Sequence, residues 1–128
     1  MAWEGAPVLL QRIDLDFSIC KVADTQGLDF SRDYVFLSKT EEELSLVCET
    51  RFVPENPLAV EHGWRAFKVA GVLDFGMVGV IAEISGLLAS EKISVFVIST
   101  YNTDYVLMKS PDFEKGIALL QNHGYTIE

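Results

Sequence analysis

The sequence predicts an α+β protein in which antiparallel strands carry helices on one face of the sheet. Residues 93–98 and 105–108 are apolar runs, and the polar stretch 100–103 between them is typical of a β-hairpin turn. Residues 66–72 form a third apolar run ahead of this hairpin. Helical patterns follow the third run and the hairpin, so we expect the order βαββαβ in the second half of the chain.

Each of the two predicted helices has a periodic apolar face. The first helix follows a loop at residues 73–79, and its apolar face consists of Met77, Ile81, Ile84 and Leu88. The second helix is expected to begin at Ser110, with Pro111 in its first turn, and to end at Gly124. Its apolar positions are Phe113, Ile117 and Leu120. Residues 125–127 are then expected to form a last short strand.

The first half of the chain resembles the second and is predicted to be a degenerate copy of it. Residues 34–48 align with residues 94–108 at an offset of 60, because both stretches have the pattern of strand, short polar turn and strand. Residues 17–22 align with residues 67–72 at an offset of 50. The first half is therefore shorter by roughly the length of one helix. We expect two ferredoxin-like modules, the N-terminal one without its first helix.

The other N-terminal elements have weaker patterns. Residues 8–13 and 17–22 are predicted strands joined by a turn at residues 14–16. Residues 49–63 are predicted to be a linker that contains at most a short helix at residues 58–62. The chain is expected to divide into a degenerate module with its linker at residues 1–65 and a complete module at residues 66–128.

Composition and charge argue against several classes of function. The formal net charge of −9 repels nucleic acid and anionic membranes, so neither is expected as a partner. Cys20 and Cys48 fall in predicted strands and are expected to be buried free thiols, and no signal peptide is recognised. These features favour a cytoplasmic protein. With His62 and His123 as the only histidines, no metal site and no cofactor are expected.

Residues 93–107 read Ile-Ser-Val-Phe-Val-Ile-Ser-Thr-Tyr-Asn-Thr-Asp-Tyr-Val-Leu and resemble the signature of a small ACT-domain family. That family comprises tandem ACT proteins related to the regulatory region of aspartokinase and to the cytosolic arginine sensors. Residues 40–48 and 63–69 fit the same pattern, so the resemblance extends over most of the chain. It implies two ACT-like modules packed together, no catalytic activity, and the binding of a small ligand, typically an amino acid.

The loop that precedes the first predicted helix is one half of the candidate ligand site. Backbone N–H groups at a helix start attract anions such as an amino acid's carboxylate, and glycines let the backbone approach a ligand closely. The resemblance implies that this loop belongs to the effector site. Its candidate residues are Asp74, Phe75, Gly76, Met77, Val78 and Gly79. Alternatively, the glycines only relieve a tight turn between strand and helix.

The polar end of the hairpin is the other half of the candidate site. Asp104 begins the return strand, where its carboxylate can pair with a ligand's ammonium or guanidinium group. The resemblance implies the same role, because the matching aspartate of the arginine sensors contacts their ligand. Ser99, Thr100 and Thr103 are candidate hydrogen-bonding residues beside it. Alternatively, Asp104 is a turn carboxylate that accepts hydrogen bonds from Thr100 or Asn102.

The sequence therefore favours a ligand-binding regulatory protein over an enzyme. An acylphosphatase of the same topology needs a cationic phosphate cradle, but residues 73–79 contain no Arg or Lys. An RNA-binding module would carry basic neighbours around exposed aromatic residues. A structural or protein-interaction module with a vestigial ligand site remains the alternative. A homodimer is expected, because residues 95–98 are apolar at consecutive positions and helices cover only one face.

Overall fold

The computed structural model describes residues 8–70 and 79–128 of the chain. The strands are β1 (Leu9–Lys21), β2 (Phe36–Lys39), β3 (Leu44–Glu49), β4 (Ala59–Val69), β5 (Val95–Ser99), β6 (Asp104–Lys109) and β7 (Thr126–Ile127). The α-helices are α1 (Val80–Ser90) and α2 (Phe113–Asn122), and short 3₁₀ turns occur at Thr50–Phe52 and Ser110–Asp112. The predictions made for residues 71–78 lie outside the described residues.

The described residues form two compact units. Leu15–Trp64 make up the N-terminal unit, and Arg65–Glu128 make up the C-terminal unit together with the residues up to Asp14. Strands β1 and β4 contribute residues to both units. The division into modules at residues 1–65 and 66–128 stays a prediction, and the structure groups the first part of β1 with the C-terminal unit.

The C-terminal unit confirms the α+β class with an antiparallel hairpin and two helices. Its strand order is β1-β4-β6-β5, and β7 pairs in parallel with β1. The buried core consists of Val8, Leu10, Phe67, Val69, Val80, Ile84, Leu88, Ile93, Val106, Met108, Phe113, Ile117, Leu120 and Tyr125. Core residues within one strand are two positions apart and so lie on one face of the sheet. Both helices share this core, which places them on the same face.

The helix boundaries lie at or next to glycine and proline residues of the sequence. Gly79 takes the left-handed conformation, with φ of 91°, at the start of α1. Gly124 has φ of 96° just beyond α2, as expected of a residue that ends a helix. Pro111 lies in the 3₁₀ turn that leads into α2. The predicted apolar positions in the two helices are buried or partly buried at every described site.

The N-terminal unit contains the predicted hairpin but, over Leu15–Trp64, no α-helix. Its strand order is β2-β3-β1, with antiparallel pairing throughout. Strand β3 (Leu44–Glu49) corresponds to β6 (Asp104–Lys109) at the offset of 60, and each is followed by a 3₁₀ turn of three residues. The turns also match, because Thr40 N–H donates to the Glu43 carbonyl at 2.9 Å and Thr100 N–H to the Thr103 carbonyl at 2.8 Å.

The predicted turn at residues 14–16 is wrong, because β1 runs through it without a break. Asp14 and Asp16 are exposed, whereas Leu15 is half-buried and Phe17 is buried. Over residues 14–17 this is the local alternation of a strand that is solvated at alternate positions. The two carboxylates are exposed positions in the middle of β1 and not a reversal of the chain.

The predicted linker with a short helix at residues 58–62 is also wrong, because β4 begins at Ala59. The Leu58 N–H donates to the Lys21 carbonyl at 2.8 Å, which attaches the start of β4 to β1. A five-residue helix is marginal in isolation, whereas the sheet supplies a hydrogen-bond partner for each residue it adds. Hydrogen bonding to β1, and not local helix propensity, therefore determines the structure of residues 58–62.

Of the two strands of the predicted hairpin, β6 has neighbours on both sides and β5 has one, although both are apolar runs. β5 comes last in the strand order β1-β4-β6-β5 of the described residues, and its Val97 is 36% exposed. The covered strand is β6, in which Val106, Leu107 and Met108 are all buried. A run of β-branched and aromatic residues indicates a strand but does not fix its place in the sheet.

Candidate functional site

The turn between β5 and β6 is attached to the end of β4. The Thr103 hydroxyl donates a short hydrogen bond to the backbone carbonyl of Val69, and Thr103 is 9% exposed. Ala70, the residue that follows the end of β4, donates its N–H to the Leu9 carbonyl at 2.7 Å. The hairpin turn therefore lies beside the strand end from which the predicted ligand loop departs.

The other turn residues hold the turn's own shape. Thr100 donates both its N–H and its hydroxyl to the Thr103 carbonyl, each at 2.8 Å. The Thr103 N–H in turn donates to the Thr100 hydroxyl oxygen at 3.4 Å. Ser99 pairs with Asp104 in the register of the two strands. The structure thus brings Ser99, Thr100, Thr103 and Asp104 into one hairpin end, as predicted.

Asp104 does not serve as a turn carboxylate in this structure. The Thr100 hydroxyl donates to the Thr103 carbonyl and not to the Asp104 side chain. Asp104 is half-buried, and over residues 8–70 and 79–128 its carboxylate has no hydrogen bond or ion pair. A half-buried carboxylate that no described residue pairs with can pair with a ligand cation.

The loop half of the candidate site is described only at its last residue. Asp74, Phe75, Gly76, Met77 and Val78 lie outside the described residues. Gly79 is the N-cap of α1 and provides no side chain to cap the helix, so the first N–H groups of α1 have no side-chain acceptor at that position. Glu83 in the first turn of α1 accepts a hydrogen bond from the Tyr125 hydroxyl at 2.5 Å.

The cysteines are buried and free, as predicted. Burial raises the pKa of the Cys20 thiol. It also raises the pKa of Cys48 to about 11, with smaller contributions from Cys20 and Glu49. Both thiols are therefore protonated near neutral pH and poor nucleophiles. Among the described residues, no three His, Cys, Asp or Glu side chains are arranged to hold a metal ion.

A serine–histidine contact that the sequence did not predict lies in the N-terminal unit. The Ser18 hydroxyl lies 2.8 Å from the Thr50 hydroxyl and 2.7 Å from Nδ1 of His62. Ser18 is fully buried, so a substrate cannot reach its oxygen. The three side chains satisfy one another and attach β1 to β4 and to the 3₁₀ turn after β3. No sequence motif connects these residues, because only the β1–β4 pairing brings them together.

A pocket of about 120 Å³ lies within the N-terminal unit. Its lining residues are Gly27, Leu28, Asp29, Arg32, Asp33, Tyr34, Val35, Leu46, Cys48, Glu49 and Phe52. Most of these residues belong to the polar segment between β1 and β2, for which no function was predicted. The sequence nevertheless indicated space at this position, because the internal repeat aligns the small Cys48 with the larger Met108 at the offset of 60.

The sequence profile of the ACT domain matches residues 59–122, half of the chain. The human cytosolic arginine sensor for mTORC1 subunit 1 is 37% identical over 59 residues, which are 45% of this chain and 18% of the sensor. The chain therefore spans less than a fifth of the length of this curated relative. None of the helices in the described residues is long and apolar enough to cross a membrane.

Solved structures share the fold over nearly the whole chain. A protein from Agrobacterium tumefaciens superposes with a TM-score of 0.83 at 28% identity, covering 97% of this chain and 94% of that one. A structure of aspartokinase alpha and beta subunits gives a TM-score of 0.62 at 16% identity, over 91% of this chain and 97% of that one. The second likeness shows the fold alone.

Proposed function

We propose that this chain, which belongs to the ACT domain family, is a non-catalytic regulatory protein that binds an amino acid at the β5–β6 turn and the loop before α1. The ligand's cationic group pairs with Asp104, and its carboxylate meets backbone N–H groups at the start of α1. The hydroxyls of Ser99, Thr100 and Thr103 complete the polar lining. Asp74, Phe75, Gly76, Met77, Val78 and Gly79 form the loop side of this proposed site.

One observation carries the proposal more than any other. Asp104 stands at the polar end of the hairpin, and its half-buried carboxylate has no hydrogen bond or ion pair in the described part of the chain. A ligand cation beside this carboxylate would form a charge-assisted hydrogen bond without displacing a described protein partner. The Thr103 bond to Val69 supports the loop side, because it holds the turn beside the end of β4.

The relatives support the choice of an amino acid. The human relative is named as a cytosolic arginine sensor, and this chain is 37% identical to it over the matched 59 residues. Arginine carries a guanidinium group that can form two parallel hydrogen bonds to one carboxylate. Arginine is therefore the first ligand to test, and the cytoplasm is the compartment we propose for a sensor of this kind.

A thermal-shift screen of the twenty amino acids tests this proposal. A ligand that binds only the folded protein raises the melting temperature in a concentration-dependent way. Asp104→Asn should abolish or weaken the shift while leaving the melting temperature of the free protein nearly unchanged. Glu43→Gln is the matched control, because Glu43 belongs to the equivalent turn of the N-terminal unit. A shift that Asp104→Asn leaves intact would argue against this site.

We also propose that two copies associate through the edge of β5. β5 is last in the described strand order of the C-terminal unit, and it reads Val-Phe-Val-Ile-Ser with Val97 36% exposed. An apolar edge strand readily pairs with a second chain. A regulatory dimer of this kind places two copies of the hairpin close to each other.

A further inference from the structure

We propose that the pocket of the N-terminal unit binds a small organic cation, namely a primary aliphatic amine of about six non-hydrogen atoms. The pocket volume of about 120 Å³ is close to that of a cavity that accepts benzene. This inference does not rest on the proposed function, because it concerns other residues and a different ligand. It rests on the origin of the pocket, its floor and the charges at its rim.

The pocket exists because the N-terminal unit has no helix over its sheet. In the C-terminal unit the core includes Met108, and a Cβ built on Gly116 of α2 would overlap the Met108 side chain. The repeat places Cys48 at the position of Met108. Cys48 is smaller, and the loop between β1 and β2 covers it in place of two helices. Space that helices fill in the complete module is left open here.

The floor of the pocket is apolar and uncharged. It is formed by Leu46 and Cys48, which are 1% and 4% exposed, with the half-buried Leu28 and Val35 packed against them. The Cys48 thiol is neutral near pH 7, because burial raises its pKa. A ligand that enters the pocket must therefore present an apolar body to this floor.

Two charged groups at the rim already compensate each other. Arg32 forms an ion pair with Asp29 at 3.3 Å, and its guanidinium group stacks on the Phe52 ring at 3.6 Å from the ring centre. The Asp29 carboxylate also accepts hydrogen bonds from Ser31, which lower the pKa of Asp29. Neither Arg32 nor Asp29 therefore requires an opposite charge from a ligand.

The remaining rim charge is negative. Asp33 is exposed, and within the described residues its carboxylate has no hydrogen bond or ion pair. Glu49, whose side chain is 13% exposed, is already paired, because its Oε1 accepts a hydrogen bond from Nε of Arg51 at 3.1 Å. Asp33 is therefore the lining charge that a ligand can pair with. An anion would be repelled here, and a cation at the mouth of the pocket would be attracted.

An aliphatic amine offers both an apolar body for the floor and a positive charge for the rim. Its alkyl group packs against the floor, while its ammonium group stays at the rim beside Asp33. An amino acid of similar size suits the pocket less well, because its carboxylate would have to compete with Asp29 for Arg32. The ammonium group remains charged near neutral pH, since an alkylamine has a pKa of about 10.

Calorimetric titration of the full chain with four related compounds tests the proposal. The probes are 3-methylbutylamine, neutral 3-methylbutanol, 4-methylpentanoate and leucine. The amine should bind about three- to five-fold more tightly than the alcohol, as expected for one exposed charge pair, and the acid should not bind detectably. Equal affinity for the alcohol, tighter binding of leucine or the acid, or no binding of the amine at millimolar concentration would overturn the proposal.

Variants locate the binding. Asp33→Asn should reduce amine affinity about three- to five-fold. Leu28→Trp should block the pocket and so prevent amine binding. Glu41→Gln is the control and should leave amine affinity unchanged, because Glu41 does not line the pocket. Amide resonances of Leu46 and Cys48 should shift on titration in the wild-type protein. Unshifted resonances, or an affinity that Asp33→Asn does not change, would contradict the assignment.

Asp104→Asn separates this pocket from the proposed amino acid site. The variant should bind the amine with wild-type affinity while losing affinity for the amino acid. A loss of amine binding in Asp104→Asn would mean that the amine occupies the hairpin site, and the pocket assignment would then be wrong.

Discussion

Replacing Thr103 by valine tests how the hairpin turn is held in the C-terminal unit. The substitution keeps the branched shape of the side chain but removes the hydroxyl that donates to the Val69 carbonyl. Thr103 is 9% exposed and Val69 is 0% exposed, so water does not readily replace the lost donor. A buried acceptor left without its partner costs about 1–3 kcal/mol, so we expect the free energy of unfolding to fall by about that amount.

Urea denaturation followed by far-UV circular dichroism measures this change. The midpoint should fall, and the dependence of the free energy on urea concentration should stay the same, because the surface exposed on unfolding does not change. Thr100→Val is the control, since Thr100 is exposed and its hydroxyl bonds only within the turn, to the carbonyl and the N–H of Thr103. We therefore expect a loss of no more than about 0.5 kcal/mol. Equal effects of the two substitutions would refute the idea that the bond to Val69 fixes the turn.

Three further predictions follow from the described contacts. Gly116→Ala should destabilise the protein by about 1–3 kcal/mol in the same urea assay, because the new methyl group overlaps the Met108 side chain. Gly86→Ala in α1 is its control: the new methyl group meets nothing within 4 Å, so this variant should be about 0.5–1 kcal/mol more stable than the wild-type protein. Hydrogen bonds from Arg12 lower the pKa of Glu114 from its ordinary 4.5. The wild-type protein should therefore be more stable than Glu114→Gln above pH 4.5, and this difference in the free energy of unfolding should disappear as the pH falls below 4.5 and Glu114 becomes protonated. Light scattering should give twice 14.3 kDa for the wild-type protein and 14.3 kDa for Val97→Lys, and a wild-type monomer would exclude pairing through β5.

The C-terminal unit could be predicted because local and long-range signals agree there. The apolar faces of both helices, the Gly124 stop and the polar turn at residues 100–103 each specify one structure, and the fold uses all of them. The N-terminal unit was predicted less well, because its β1 and β4 depend on pairing with each other. Asp14 and Asp16 read locally as a turn, yet they are exposed positions within a long, continuous strand.

The candidate site was predictable only in part. The residues of the hairpin end were found because the turn is local in sequence and its polar side chains are consecutive. The contact from Thr103 to Val69 spans 34 residues, and no periodicity reveals it. The pocket of the N-terminal unit was missed for a related reason. It lies where Leu15–Trp64 contains no α-helix, and the loop residues around it carry no pattern of their own.

Calorimetric titration of arginine and the other amino acids into the wild-type protein and Asp104→Asn tests the central claim most directly. The account predicts that at least one amino acid binds the wild-type protein at a single site. It also predicts that Asp104→Asn weakens this binding about 10- to 100-fold, the worth of one charge-assisted hydrogen bond. An affinity that the substitution leaves unchanged, or the absence of binding by all twenty amino acids at millimolar concentration, would contradict it.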